Sequence, residues 1–279
     1  MTGLAAYGWW PLAWLGVDAP LVWGVGGVGL LWGLGYHGTA LFWLIGIHPM
    51  TWLGLNWGTS LAIALGAWLI VTLWGAALTT LWGWFVARTK GDRLWIGLAL
   101  FGSLEVLWGY GPLYWTALNL TQSPHNLWAL QLGRWSGPQT LTTALLLFGG
   151  LGHRILWMRP PRREALGLAM LVFFLCGYGA WAANPERSAK ADGPALQVGL
   201  IQPNIPNPIK FREEGLRLAL DRHVQGYQNL QGVDFVLTTE GAFPFAYPRP
   251  SSWREPFDRA IADQGTPVWI GSFGEPTKA

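Results

Sequence analysis

Charge is distributed so unevenly along this chain of 279 residues that its two parts must be adapted to different solvents. Residues 1–158 carry eight Asp, Glu, Lys and Arg side chains, whereas residues 184–279 carry twenty-one. Nineteen of the 21 Trp also precede residue 184, and Trp is enriched where a membrane meets water. The sequence therefore indicates a membrane-embedded first part and a water-soluble second part.

Composition excludes several classes of protein. Charged residues make up 12% of the chain, against about 25% in an ordinary soluble domain, which argues against a simple water-soluble enzyme. The single Cys, Cys176, cannot form an intramolecular disulfide and leaves the redox compartment undetermined. A net charge of +3 is too small to indicate a nucleic-acid partner.

The first 183 residues contain several apolar segments of the length that a bilayer requires, about 20 residues for a helix. The stretch from Trp9 to Trp23 is interrupted by Pro11, Asp18 and Pro20, so it is a further span, a re-entrant segment or a shortened first helix. We predict a multi-span α-helical membrane bundle over residues 1–183, with spans at about 24–46, 59–86, 94–117, 139–157 and 165–183.

The positions of the cations predict the orientation, because Lys and Arg in short loops remain cytoplasmic. Two predicted spans separate the two basic clusters, so both clusters can face the cytoplasm. Everything after about Asn184 is then extracytoplasmic. The clusters are Arg88, Lys90 and Arg93, and Arg159, Arg162 and Arg163 with Arg154 just before them.

The water-soluble part alternates strand and helix patterns, which favours right-handed crossovers and a mostly parallel sheet. Residues 184–194 are typical of a linker, and residues 195–279 form a domain with too few strands to close a core. We therefore expect an incomplete α/β domain. The predicted elements are a strand at Leu196–Ile201, a helix at Arg212–Leu230, a strand at Val233–Leu237, a helix capped by Pro250–Ser252 and ended by Gln264-Gly265, and a strand at Pro267–Gly271.

Two acidic residues are candidates for function. Glu240 directly follows the second strand, and ligands bind at the carboxyl edge of open α/β sheets. Apolar neighbours would partly desolvate Glu240, which suits a general base, although a turn or solvent-facing role is equally compatible with the spacing. Glu105 lies inside a predicted span, where an acid is costly. Its role is either interhelical hydrogen bonding or substrate binding.

Other candidates have structural interpretations. Cys176 lies within a predicted span, where we expect it to pack against neighbouring side chains. The run Gly24–Gly29 imitates a dinucleotide-binding loop, but no strand precedes it, so we interpret it as a helix-packing surface. The histidines show no ligand spacing, and we expect neither a metal nor a cofactor.

The chain resembles the apolipoprotein N-acyltransferase family, in a cyanobacterial-like form, over most of its length. The resemblance in the soluble part extends through Val198–Pro206, Lys210-Phe211, Asp234–Glu240 and Pro244. In the membrane part it extends through Gly38–Trp43, Ile47–Gly54, Gly111–Trp115, Asn119–Gln122 and Asn126–Gly137.

This resemblance implies a bacterial inner-membrane protein whose nitrilase-like domain, of the α-β-β-α type, is periplasmic. It implies a phospholipid acyl donor, a lipid-modified apolipoprotein acceptor and a Cys thioester intermediate. Glu240 matches the general base of the family's Glu, Lys and Cys triad. Neither Lys278 nor Cys176 has the setting of the other two members, so we expect a truncated chain that does not complete the reaction.

Two other classes remain as alternatives. One is a non-catalytic membrane protein whose degenerate extracytoplasmic domain binds lipid or lipoprotein. The other is a transporter, which predicts inverted repeats and several polar residues near the midplane of the membrane. Glu105 is nearly alone as such a residue, and the sequence has no convincing repeat.

Overall fold

The computed structural model describes residues 13, 26–158, 162–184, 195–206, 208–241, 243–246 and 253–273. The chain divides into two compact units. The first consists of Met1–Gly46 and Leu61–Ala189, and the second of Ile47–Ser60 and Lys190–Ala279. The segment Pro250–Ser252, most of Trp9–Trp23 and nearly all of the expected linker lie outside the described residues.

The helices of the first unit follow the apolar segments. Two of them, α2 and α7, are long and apolar enough to cross a membrane by length and composition. Asp92 caps α3, because its side chain accepts a hydrogen bond from the Leu94 backbone N–H at 2.9 Å. The helices are α1 (Gly26–Ala40), α2 (Trp57–Arg88), α3 (Arg93–Gly109), α4 (Leu127–Leu130), α5 (Gly133–Ser136), α6 (Gln139–Trp157) and α7 (Arg162–Ala182). Short 3-10 helices cover Phe42–Ile47, Thr51–Leu53 and Leu118–Gln122.

Two of the predicted spans are longer than the helices that form. The prediction at 94–117 is wrong beyond Gly109, where α3 ends. Gly111 and Pro112 follow at once, and Pro cannot continue an α-helix without losing a backbone hydrogen bond. The prediction at 24–46 is wrong in the same way, since α1 ends at Ala40 and a 3-10 helix follows.

Small residues let helices of the first unit approach closely. A Cβ added to Gly29 would lie 2.3 Å from the Thr79 carbonyl oxygen, and one added to Gly33 would lie 2.1 Å from Thr79 Oγ1. The Thr79 hydroxyl donates to the Gly29 carbonyl at 2.9 Å. At Gly29 the helix-packing interpretation of the Gly-rich run is therefore confirmed.

The second unit contains a parallel three-stranded sheet in the order β1-β2-β4, which confirms the predicted strand and helix alternation. The second sheet, β3 paired with β5, was not predicted, because a Pro-containing run of four residues has no strand signature. The elements are β1 (Val198–Ile201), α8 (Glu213–Asn229), β2 (Phe235–Thr238), β3 (Phe243–Ala246), α9 (Glu255–Gln264), β4 (Val268–Trp269) and β5 (Ser272–Phe273).

One face of the three-stranded sheet is buried, because alternate side chains of a strand point to opposite faces. Ile201 and Val236 point into a core that includes Tyr227 and Phe257 from α8 and α9. On the opposite face, Leu200, Leu237 and Trp269 lie in register across the three strands and are all exposed.

Candidate functional site

Glu240 lies two residues beyond β2, the middle strand of the parallel sheet. The chain turns at Glu240-Gly241, and Gly241 adopts a left-handed conformation with φ of +62°. The carboxylate therefore stands at the carboxyl edge of the sheet, where the sequence placed it and where open α/β folds bind ligands.

Gly271, two residues after the end of β4, holds this turn in place. A Cβ on Gly271 would lie 2.2 Å from the Thr239 carbonyl oxygen and 2.9 Å from Glu240 Cα, so only glycine fits there. The Gly271 N–H donates to Thr238 Oγ1 at 3.1 Å. The Gly271 carbonyl accepts from the Phe243 N–H at 3.4 Å. The turn at Glu240 is thus held on both sides, at Thr238 and at Phe243, by one residue that follows the neighbouring strand β4.

The side chain of Glu240 is exposed, which corrects the expectation that apolar neighbours would desolvate it. The physical reason is the direction of Phe243. Its ring is fully buried in the core of the second unit, against His223 and Phe257, and it does not cover the carboxylate.

A second loop leaves the same edge of the sheet after β1. Asn204 in this loop has a φ of +48°. Arg222 of α8 donates to the Pro203 carbonyl oxygen at 2.5 Å and to the Asn204 carbonyl oxygen at 3.0 Å. The loops after β1 and β2 are therefore both held by neighbouring elements.

An early segment of the chain joins the second unit beside Lys210-Phe211. The ring centroids of Trp52 and Phe211 lie 5.0 Å apart, and Arg212 Nη2 donates to Thr51 Oγ1 at 3.2 Å. Sequence reasoning missed this contact because Thr51 and Arg212 are 161 residues apart. The family resemblance did single out Ile47–Gly54 and Lys210-Phe211, but as separate motifs.

Glu105 is a buried acid of the first unit, with 1% of its surface exposed. Its Oε1 accepts from the Leu118 backbone N–H at 3.1 Å and lies 3.3 Å from the Tyr114 hydroxyl, which donates to it. The carboxylate thus connects α3 to the segment between α3 and α4, at Tyr114 and at the start of the 3-10 helix Leu118–Gln122.

The same segment is tied to other helices. His37 of α1 and the Thr116 hydroxyl share a hydrogen bond of 2.6 Å. Asn119 donates to Thr142 of α6 at 3.1 Å. Residues 114–119 are therefore held by polar contacts from three helices. Losing one of these contacts would leave a buried polar group without a hydrogen-bond partner, which costs free energy in an apolar interior.

The remaining sequence candidates do not form a site. Cys176 is exposed on α7, beside the exposed Phe173 and Phe174. Lys278 lies outside the described residues. Within the part of the chain that the structure describes, no three His, Cys, Asp or Glu side chains are grouped as metal ligands would be.

Comparison with known proteins confirms the resemblance found in the sequence. The chain is similar to proteins named apolipoprotein N-acyltransferase from several cyanobacteria. It is 39% identical over 261 residues to that of Nostoc sp., covering 89% of this chain and 51% of the relative. The corresponding values are 38% over 258 residues for Thermosynechococcus vestitus, covering 88% and 49%. They are 34% over 290 residues for Gloeobacter violaceus, covering 97% and 54%.

The chain thus spans about half the length of these relatives. No protein-family model matches it.

Proposed function

We propose that this chain supplies the membrane bundle and the carboxylate-bearing sheet edge of an apolipoprotein N-acyltransferase, on the premise of its 39% identity to a protein of that name. The reaction moves an acyl chain from a membrane phospholipid to a Cys thiol, and the ester bond that breaks releases a lysophospholipid. It then passes the chain to the amino group of a diacylglyceryl-cysteine at the start of a lipoprotein. Both substrates are anchored in the membrane, so an enzyme built on a helical bundle meets them in two dimensions.

In this proposal Glu240 is the general base of a nitrilase-like domain. A carboxylate in that role takes the proton of the attacking thiol and later that of the attacking amine. The observation that carries the assignment is the position of Glu240 after the middle parallel strand, on a turn fixed by Gly271. A rigid backbone is what a general base requires, because its oxygen must stay within hydrogen-bond reach of the reacting group.

The proposed domain is extracytoplasmic. Arg154 near the end of α6 pairs with Asp92, before α3, and with Glu164, in the first turn of α7. These ion pairs bring the two basic clusters to one end of the first unit, as a shared cytoplasmic side requires.

For Glu105 we propose the hydrogen-bonding role. Its burial and its bonds to Leu118 N and the Tyr114 hydroxyl suit a residue that orders the segment after α3. A direct contact with substrate, the other possibility that the sequence left open, requires that segment to move.

A second candidate function is a non-catalytic protein that binds lipid or lipoprotein. It is favoured by the exposed apolar face that Leu200, Leu237 and Trp269 form across the parallel sheet. Translating the genomic DNA that follows the codon for Ala279 separates the two. An open frame with a Lys, a Cys and a further apolar span favours the enzyme, and an immediate stop favours the binding protein.

The catalytic assignment is tested in the complete gene product. Glu240→Gln should abolish formation of the acyl thioester while the protein still inserts in the membrane. Glu213→Gln is the matched control, because it removes an exposed carboxylate of the same unit that lies on α8. Normal acylation by the Glu240 variant would remove Glu240 from the mechanism.

A further inference from the structure

A cavity of about 360 Å³ lies in the first unit where the loop before α3 meets the last turns of α6. Arg93, His153 and Arg154 supply its polar walls, together with Asp92. Gly150 and Met158 supply apolar surface. This cavity has no part in the proposed acyl transfer, since it lies at the end of the bundle that carries the cations.

Positive charge at this end exceeds negative charge. Asp92 and Glu164 both pair with Arg154, and the hydrogen bond from Arg154 lowers the pKa of Asp92, so this acid stays ionised. The two acids are thus turned toward one cation. Among the described residues of this end, the exposed cations that these two acids do not pair with are Arg88, Lys90, Arg93, Arg162 and Arg163.

The rim of the cavity is apolar and aromatic. Leu156, Trp157 and Met158 end α6 and are largely exposed, and the Trp157 ring stacks on His153 with centroids 5.0 Å apart. Trp95, in the first turn of α3, is exposed as well. Trp side chains with one apolar and one polar environment are typical of the membrane interface. The cavity therefore combines polar walls, in which Arg93 is not paired with Asp92 or Glu164, with surroundings suited to hydrocarbon.

We propose that this cavity binds the phosphate headgroup of an anionic phospholipid, with the acyl chains lying along the exposed end of α6. Basic pockets between membrane helices on the cytoplasmic side are suited to such headgroups. Arg93 provides the charge-assisted hydrogen bonds to phosphate oxygens, because it is exposed in the cavity wall and Arg154 is already paired. The bound lipid links the loop after α2 to α6.

This inference rests on the orientation proposed above for its choice of leaflet, but not on acyl transfer. The test is a binding measurement on the purified full chain in a neutral detergent. Its result depends neither on the orientation of the protein nor on acyl transfer. Phosphatidylglycerol and phosphatidylcholine are titrated separately, and retained lipid is counted by native mass spectrometry. We expect one phosphatidylglycerol per chain and at least about tenfold weaker binding of phosphatidylcholine, since the site recognises net negative charge.

Two Arg variants separate a built site from general electrostatic attraction. Arg93→Gln should weaken phosphatidylglycerol binding about tenfold, the loss of a charged hydrogen-bond partner. Arg88→Gln removes the same charge from the other end of the α2–α3 connection, but Arg88 lies over the Trp84 ring, donates to the Trp84 carbonyl oxygen and does not line the cavity. We expect it to change binding less than about twofold. Equal weakening by both variants would overturn the proposal.

Two more variants and a competition with inorganic phosphate complete the test of this site. If Arg93→Gln fails to accumulate in the membrane, Met158→Glu places a negative charge in the cavity wall, and Leu156→Glu places one beside it, outside the lining. Loss of phosphatidylglycerol binding in Met158→Glu, with binding retained in Leu156→Glu, supports the site. Equal retention of both lipids contradicts it. Displacement of the lipid by millimolar inorganic phosphate would instead assign the cavity to a soluble anion and overturn the lipid assignment.

Discussion

Glu105 and Glu240 are both acids that the sequence singles out, yet their surroundings are opposite. Glu105 is buried in the first unit and accepts hydrogen bonds from Leu118 and Tyr114, whereas Glu240 is exposed at the edge of a sheet in the second. The difference comes from the chain that follows each acid. After Glu105 the chain returns with hydrogen-bond donors, and after Glu240 the next large side chain, Phe243, enters the core.

The comparison indicates two kinds of role. A buried acid with donors around it stabilises structure and is costly to change. An exposed acid on a rigid turn contributes little to stability and is free to act on a bound molecule. The two roles predict different responses to mutation.

The largest effect is expected at the turn that carries the exposed acid. Gly271→Ala should lower the free energy of unfolding of the second unit by about 3 kcal/mol, because its Cβ would overlap the Thr239 carbonyl. Thermal unfolding and faster hydrogen exchange in residues 238–243 measure this. Gly226→Ala is the control: its Cβ meets only the Ile201 side chain, at 3.1 Å, and alanine favours the helix. Equal losses would show that Gly271 does not fix the turn.

The buried acid should come next. Glu105→Leu leaves the buried Leu118 N–H without its acceptor and should cost about 2 kcal/mol. Glu105→Gln retains an acceptor oxygen and should lose less. Unfolding in detergent, together with hydrogen exchange at Leu118, distinguishes the variants. An unchanged exchange rate at Leu118 in the Leu variant would contradict the ordering role.

The second unit should also weaken in acid, through the buried His223. His223 is fully buried, its Nδ1–H donates to the Ala219 carbonyl at 2.7 Å, and burial lowers its pKa below the ordinary 6.5. The unfolded chain therefore takes up a proton that the folded unit does not. Stability should be constant above about pH 6.5 and fall as the pH drops below it.

His223→Gln should remove that decline, and His125→Gln, which changes an exposed His, should not. Unfolding temperatures measured from pH 8 to pH 5 provide the check, within the range where an ordinary His titrates. A decline that persists unchanged in the His223 variant would assign the pH dependence to another group.

The smallest effect on stability is expected at Glu240 itself. Glu240→Gln should change the free energy of unfolding by less than about 0.5 kcal/mol, as exposed substitutions do. Combined with lost thioester formation in the complete protein, this result would separate function from stability at one residue. A loss comparable to that of Glu105→Leu would place Glu240 among the structural acids.

Several elements could be predicted because their signals are local. The apolar segments predicted the helices of the first unit, and the apolar spacing in Arg212–Leu230 predicted α8 to within one residue at each end. Gly265 ended α9 as predicted, in a left-handed conformation with φ of +74°. The strands β3 and β5 were not predicted from the sequence, because they are short and β3 contains Pro244.

The site was predictable in position but not in environment. The order of elements placed Glu240 at the carboxyl edge of a parallel sheet, since that edge depends only on strand direction. Its exposure depends on which way Phe243 turns, and its rigidity depends on Gly271, which is 31 residues further along the chain.

By itself the amino-acid sequence determined where most helices and the three parallel strands form, that the first part suits a bilayer, and which acid follows the second strand. Tertiary structure alone decided which acid is buried, which glycine holds the turn, and that Thr51 contacts Arg212. The physical reason is range: hydrophobic periodicity and turn chemistry act over a few residues. Burial and hydrogen-bond partners are set by segments that meet only when the chain has folded.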